Sequence, residues 1–296
     1  MNCMPRDKKK YFAVISVLLL CVAVLSAYFY LSTRPEGLNA VRKWFILLDY
    51  RGAESLPDPS EVKKFDMAIL DPDSHPPLKE IKDNIILIAY LSVGEAEGYR
   101  GYWEEIKDRP WVIGENPFWK ENYYVDVRNK EWQKVILDEV IPGIIEKGFK
   151  GIFLDTLDTS SMLEEKYPIK HAGSDRAMIG LVRAIRESYP ELFLISNNGF
   201  SVLKDIAPFL DGMLAEDINM MPDFEKAGYK KVPENESAYK IEILKELKKE
   251  YDIPVFVIDY APQGDRHALR ECIAESKKLG FKPYIAEKEL SRIYEN

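Results

Sequence analysis

Seven short apolar runs in this chain end in a carboxylate or an amide, and those end residues are where chemistry is to be sought. Asp49 follows the run 44–48 and Asp71 follows 67–70. Glu95 follows 85–91 by way of Ser92, Val93 and Gly94. Asp155 closes 151–154, Asn197 follows 192–195, Glu216 follows 212–215 and Asp259 follows 255–258. Two carboxylates, one a proton donor and the other a nucleophile or base, suit cleavage of a glycosidic bond. Asp155 and Glu216 are the expected catalytic pair. Asp158 competes with Asp155 but reads better as a loop or helix-cap residue. Asp, Asn and Glu also end strands and cap helices, which explains any one of these positions. It explains seven together poorly, because crowding acids costs stability unless function rewards it.

The elements that would position these residues follow from the runs. A short, continuously apolar run suits a strand buried on both faces, as in a parallel sheet. An eighth, weaker run covers 281–285. Between the runs, 131–147 (interrupted by Pro142), 174–188, 237–250 and 265–279 carry apolar residues at helical spacing. Ser174 and Asp175 supply an N-cap region for the second, and Gly280 a C-cap for the last. Strands alternating with helices imply βαβ units, and eight of them over about 250 residues match a (β/α)8 TIM barrel. A doubly wound open sheet is disfavoured, since no glycine-rich turn follows the first strand. In a barrel the carboxyl ends of all the strands surround one mouth. Even-numbered strands share a side-chain layer, so Asp155 on the fourth and Glu216 on the sixth can aim at one point. Crowding and burial would keep one of the pair protonated.

The remaining candidates would contact substrate: Asp49, Tyr50, Asp71, Tyr90, Glu95, Arg100, Trp103, Asn197, Asp259 and Tyr260. Tyr99, Tyr102, Trp119, Tyr123 and Tyr124 add aromatic faces, which pack against sugar rings while their polar edges bond hydroxyls. Arg100 is placed to pair with Glu95 or Glu97. No cofactor is expected. The segment Asp71-Pro72-Asp73 with His75 matches the Asp-x-Asp of metal-dependent glycosyltransferases, but so short a match is common. His75, His171 and His267 lie far apart, so no metal site is expected.

Of 296 residues, 41 are Lys or Arg and 49 Asp or Glu. Residues 1–34 hold five of the basic residues (Arg6, Lys8, Lys9, Lys10, Arg34) and one acid, Asp7. The rest therefore carries 36 basic against 48 acidic residues, a net −12. That balance argues against a nucleic-acid partner and is neutral to mildly favourable towards a cationic polymer, although a merely soluble surface explains the charge itself more simply. Residues 11–31 form an uncharged apolar run long enough to span a bilayer as a helix, and the preceding basic cluster should stay cytoplasmic. The sequence thus predicts a cytoplasmic segment 1–10, a transmembrane signal anchor 11–31 (or a signal peptide, were it cleaved), a tether 32–43 and a barrel 44–296. The barrel would lie outside the cytoplasm, on a single-pass membrane protein. Cys272 is the one cysteine of the body and reads as a core thiol. Asn235-Glu236-Ser237 is a glycosylation sequon, meaningful only in a host that modifies surface proteins.

Over about Trp44 to Tyr284 the chain resembles glycoside hydrolase family 114, the endo-α-1,4-polygalactosaminidase-like TIM-barrel proteins. The resemblance rests on Ala89 to Glu97 with Tyr99-Arg100 and Tyr102-Trp103, on Gly148 to Asp155, on Asn197-Asn198-Gly199 and on Ala215-Glu216. At Tyr90 to Glu97 it departs from the characterised galactosaminidases and looks closer to an uncharacterised prokaryotic branch. The resemblance implies retaining hydrolysis of an α-linked amino-sugar polymer. It also implies an Asp nucleophile after the fourth strand and a Glu acid/base after the sixth, which fall on Asp155 and Glu216. The sequence therefore predicts a membrane-anchored glycosidase acting on a polysaccharide. The alternative is a non-catalytic surface protein that binds glycans through the same mouth.

Overall fold

The computed structural model describes residues 37–50, 62–81 and 85–295. Eight parallel strands form one sheet: β1 (Trp44–Leu47), β2 (Met67–Leu70), β3 (Ile86–Ser92), β4 (Gly151–Asp155), β5 (Phe193–Asn197), β6 (Gly212–Glu216), β7 (Val255–Tyr260) and β8 (Lys282–Ala286). Each strand pairs with the next in sequence, as the apolar runs predict. The sheet is nearly closed. The Trp44 indole on β1 donates to the Lys282 carbonyl on β8 at 3.0 Å and its ring lies 5.3 Å from that of Tyr284. The architecture is thus an α/β barrel of the TIM type. Its strands are buried almost throughout, which is why they are apolar on both faces rather than alternating.

The helices fall where apolar residues recur at helical spacing. Ser174–Ser188 buries Met178, Leu181, Val182 and Ile185. Glu234–Tyr251 and Arg266–Lys278 follow β6 and β7, the latter capped by Asp265, whose carboxylate accepts from the His267 and Ala268 amides. The predicted helix 131–147 comes in three pieces: Lys130–Lys134, a π-helical Val135–Val140 and Ile141–Lys147. Pro142 accounts for the break. It has no N–H and its ring crowds the preceding turn, and a widened turn relieves that crowding. Cys272 is buried, as expected of a core thiol.

Two features were not expected from the sequence, and both rise above the strand ends. After β3 the chain builds a three-stranded antiparallel sheet from Glu95–Glu97, Val112–Glu115 and Asn122–Val125. After β6 it builds a hairpin from Met220–Asp223 and Gly228–Lys231. Residues 11–31 lie outside the described residues. Among the described residues no helix is long and apolar enough to cross a membrane.

Candidate active site

Parallel strands bring their carboxyl ends to one mouth, and a cavity of about 600 Å³ opens there. Around it, β4, β5 and β6 each deliver a polar side chain from the last residue: Asp155, Asn197 and Glu216. The residue after each of them, Thr156, Asn198 and Asp217, adopts a left-handed backbone, with φ of 61°, 47° and 59°. Such a residue turns the chain sharply off the strand end, and for a β-branched Thr it is costly, a kind of strain that concentrates at functional sites. The turn after β4 is braced by Gly94. A Cβ there would stand 2.2 Å from the Thr156 carbonyl oxygen, so only glycine fits. The Gly94 amide also donates to the Thr156 hydroxyl at 2.8 Å.

The two carboxylates are tied together by one side chain. The Asn197 amide nitrogen donates to Asp155 Oδ1 at 2.7 Å and to Glu216 Oε1 at 2.6 Å. Only the NH2 end of an amide can bond two carboxylates at once. The two bonds laid end to end cap the separation of those oxygens at 5.3 Å. Each acid has a phenol on its other oxygen. Tyr90 donates to Asp155 Oδ2 at 2.9 Å and Tyr260 donates to Glu216 Oε2. Burial raises the pKa of Glu216, and the neighbouring Asp155 charge raises it further; the bonds from Tyr260 and Asn197 work against both. Asp217 beside it is pushed up to about 7, by burial first and by the Glu216 charge second. Its Oδ1 is buried without a hydrogen-bond partner.

The other expected site residues divide. Asp71 and Glu95 reach the cavity, although both are engaged. Glu95 accepts from Asn116 and from the Thr159 hydroxyl at 3.0 Å, and burial raises its pKa. Arg100 does not line this cavity. It pairs with Glu97 at 2.7 Å, rather than Glu95, and also with Asp71 at 2.7 Å and Asp73 at 2.8 Å, beside a second cavity of about 200 Å³. A guanidinium thus already bonds both acids of the Asp-x-Asp segment.

Four more of the expected substrate contacts lie off the cavity wall. Asp259 is fully buried and off the cavity, because its carboxylate turns away to accept from the backbone amides of Ile218, Asn219 and Met220 and from the Asn219 side chain. It fastens the start of the hairpin. Trp103 stacks on Tyr123, with ring centroids 4.2 Å apart, and is taken up by packing the flap that follows β3. Asp49 is exposed on the chain leaving β1, where its amide bonds Leu290, and neither it nor Tyr50 lines the cavity. Asp158 stands in the loop before the helix Thr159–Lys166, at its N-cap position but without a side-chain cap bond; its carboxylate accepts from the Gly199 amide at 3.0 Å and lines the cavity. The sequence reading also passed over Asn116, Asp217 and Phe224, all on the cavity wall. Asp217 had a signal, since it directly follows Glu216. Phe224 had none, since its hairpin was not foreseen.

An α/β barrel whose mouth holds two carboxylates bridged by one amide defines the class: a barrel with a paired-acid site. The family model for glycoside-hydrolase family GH114 matches residues 32–296, and the chain belongs to that family. Among relatives, an uncharacterised protein of Thermotoga maritima is 27% identical over 301 residues, covering 92% of this chain and 90% of its own. An uncharacterised protein of Deinococcus radiodurans is 27% identical over 281 residues, covering 89% and 86%. Among solved structures, the glycoside hydrolase domain of PelA from Pseudomonas aeruginosa shares the fold with a TM-score of 0.73 at 22% identity, over 86% of this chain and 98% of that one. Ega3 of Aspergillus fumigatus, solved in complex with galactosamine, does so with a TM-score of 0.64 at 16% identity, over 87% and 94%.

Proposed function

We propose that the protein is a membrane-anchored, extracytoplasmic, retaining glycoside hydrolase that cuts within an α-linked amino-sugar polysaccharide. The observation that carries this reading is the Asn197 bridge. It holds one oxygen of Asp155 within 5.3 Å of one of Glu216. Retaining glycosidases hold their carboxyls ~5–5.5 Å apart, whereas inverting ones need ~6.5–9.5 Å to admit a water. Asp155 attacks the anomeric carbon as Glu216 gives its proton to the leaving oxygen, which frees one chain end and leaves a covalent glycosyl ester. Glu216, now ionised, takes a proton from water. The hydroxide so formed displaces Asp155 and returns the sugar with its original configuration. The raised pKa of Glu216 suits the first step and the freed carboxylate suits the second.

The amino-sugar preference is supported by charge. Eight acidic residues line the cavity against two lysines, Lys120 and Lys288. Such a wall favours a polymer carrying ammonium groups over a neutral or anionic one. The galactosamine in the Ega3 complex supports the same choice.

The test uses the full-length chain in detergent with a panel of α-1,4-linked galactosamine and N-acetylgalactosamine polymers beside neutral glucans. Wild type should release reducing ends from an amino-sugar polymer, with the product anomer retained by NMR. Asp155→Asn and Glu216→Gln should each lose ~10³-fold or more in kcat, the scale of losing a nucleophile or a proton donor. Inverted product, or either variant at wild-type rate, would overturn the reading. Wild type and both variants binding a glycan without cutting it would favour the non-catalytic alternative.

A further inference from the structure

Two aromatic side chains on the cavity wall stand largely in water. Phe224 is 76% exposed and Trp119 is 58% exposed, yet both line the cavity that holds the catalytic acids. An aromatic ring left in water contributes little to stability, so core packing does not account for either. They stand on the two structures that interrupt the barrel. Trp119 lies in the loop between Val112–Glu115 and Asn122–Val125, on the flap that follows β3. Phe224 opens the turn of the hairpin that follows β6. Around the sheet, β4 with Asp155 and β5 with Asn197 lie between these two strands, and Glu216 stands at the foot of the hairpin. Counted round the sheet, the strand ends that carry the acids therefore run from one support to the other.

Both supports are built to hold position. In the Trp119 loop the Phe118 amide donates to Asn116 at 3.0 Å, and the Glu121 amide donates to Glu115 at 2.8 Å. Asn116 is itself pinned to the buried Glu95 carboxylate. In the hairpin the Asp223 carboxylate accepts from the Glu225 amide at 3.1 Å across the turn, and the buried Asp259 fastens the other end of its first strand. An exposed ring on a fixed support offers a flat apolar face at small entropic cost, which a pyranose ring can cover with its C–H side.

We propose that Trp119 and Phe224 are outer sugar-stacking platforms on either side of the cleavage point, so that the chain grips a polymer at two places and cuts between them. The inference rests on the glycosidase reading and adds the location of two subsites to it. A polymer threaded past both rings presents an internal linkage to Asp155 and Glu216, which makes the attack internal rather than from a chain end.

The test uses the full-length chain in detergent with a soluble α-1,4-linked galactosamine polymer. Variants are Trp119→Ala, Phe224→Ala, Phe224→Tyr and, as a control 95% exposed and off the cavity wall, Ile169→Ala. Size-exclusion chromatography should show wild type shortening the polymer early, before small products accumulate. Each alanine platform variant should lower kcat/KM roughly tenfold, chiefly through KM, the scale of one lost apolar stacking surface. Phe224→Tyr should restore most of the loss and Ile169→Ala should match wild type. Alanine variants at wild-type KM, or wild type releasing only end products, would overturn the proposal. If wild type cleaves nothing, retardation in polymer-loaded native gels decides. Retardation weakened by both alanine replacements supports the platforms without catalysis, and retardation unchanged by them, or absent, overturns the platforms.

Discussion

At the scale of single residues, the site depends on Asn197 more than on any other neutral side chain. It is 6% exposed and bonds both carboxylates with one nitrogen, so it fixes their spacing and partly offsets their repulsion. The phenols share that work, and their contribution has a sign that can be measured. The Tyr260 O–H bond favours the ionised form of Glu216 and so pulls its pKa down against burial and the Asp155 charge. Removing the hydroxyl in Tyr260→Phe should let that pKa rise. On the proposed mechanism Glu216 must be protonated to act as the acid, so activity should be lost as pH climbs through its pKa. The alkaline limb of the kcat/KM profile should then move to higher pH in Tyr260→Phe, with a lower plateau. A limb that stays in place or moves to lower pH would refute this role for the phenol. The catalytic candidates were legible in the sequence because an acid at the end of an apolar run stands out from it. Asp259 shows the limit of that signal. It closes β7 as Asp155 closes β4, but whether such an acid faces the mouth or a neighbouring loop depends on which backbone amides lie within reach.

At the scale of elements, the barrel strands and main helices were readable because their periodicities differ and their burial is nearly complete. The flap and the hairpin were not, because their strands carry no strong apolar pattern: Glu95–Glu97 is buried throughout, yet two of its three residues are acids, and Gly228–Lys231 has no fully buried residue. These excursions depend on close backbone contacts at their roots. At the root of the flap, Gly94 packs against the left-handed turn that carries Thr156, next to Asp155. Gly94→Ala forces a methyl group to within 2.2 Å of a backbone oxygen unless the turn moves. Overpacking of this kind costs ~1–3 kcal/mol. At ~2–4 °C per kcal/mol for a domain near this size, the melting temperature should fall by several degrees. Because the turn is adjacent to Asp155, kcat should also fall more than KM changes. A Gly94→Ala protein with wild-type melting and wild-type kcat would show that the turn is not under this constraint.

At the scale of the whole molecule, charge and hydropathy divide the chain into two parts, which the proposed function puts in different surroundings. Residues 11–31 carry no charge over 21 positions, and at ~1.5 Å per residue a helix of that length spans the ~30 Å apolar core of a bilayer. Lys8, Lys9 and Lys10 on one side favour a cytoplasmic start, which would leave the barrel outside. A polysaccharide does not cross a bilayer unaided, so a glycosidase tethered on the outer face would meet its polymer where the polymer is displayed. The acidic body would add attraction for a cationic chain, and that attraction would weaken as salt shortens the Debye length from ~10 Å at 0.1 M to ~3 Å at 1 M. Two measurements check this arrangement. The full-length protein should stay with the membrane pellet through alkaline carbonate washing and leave it only in detergent. In cells with any outer wall permeabilised but the cytoplasmic membrane intact, added proteinase should digest the barrel while a tag on residues 1–10 survives. Release by carbonate would refute the anchor. A barrel that is digested only after the cytoplasmic membrane is broken would refute the orientation, and with it the placement of this enzyme beside an external polysaccharide.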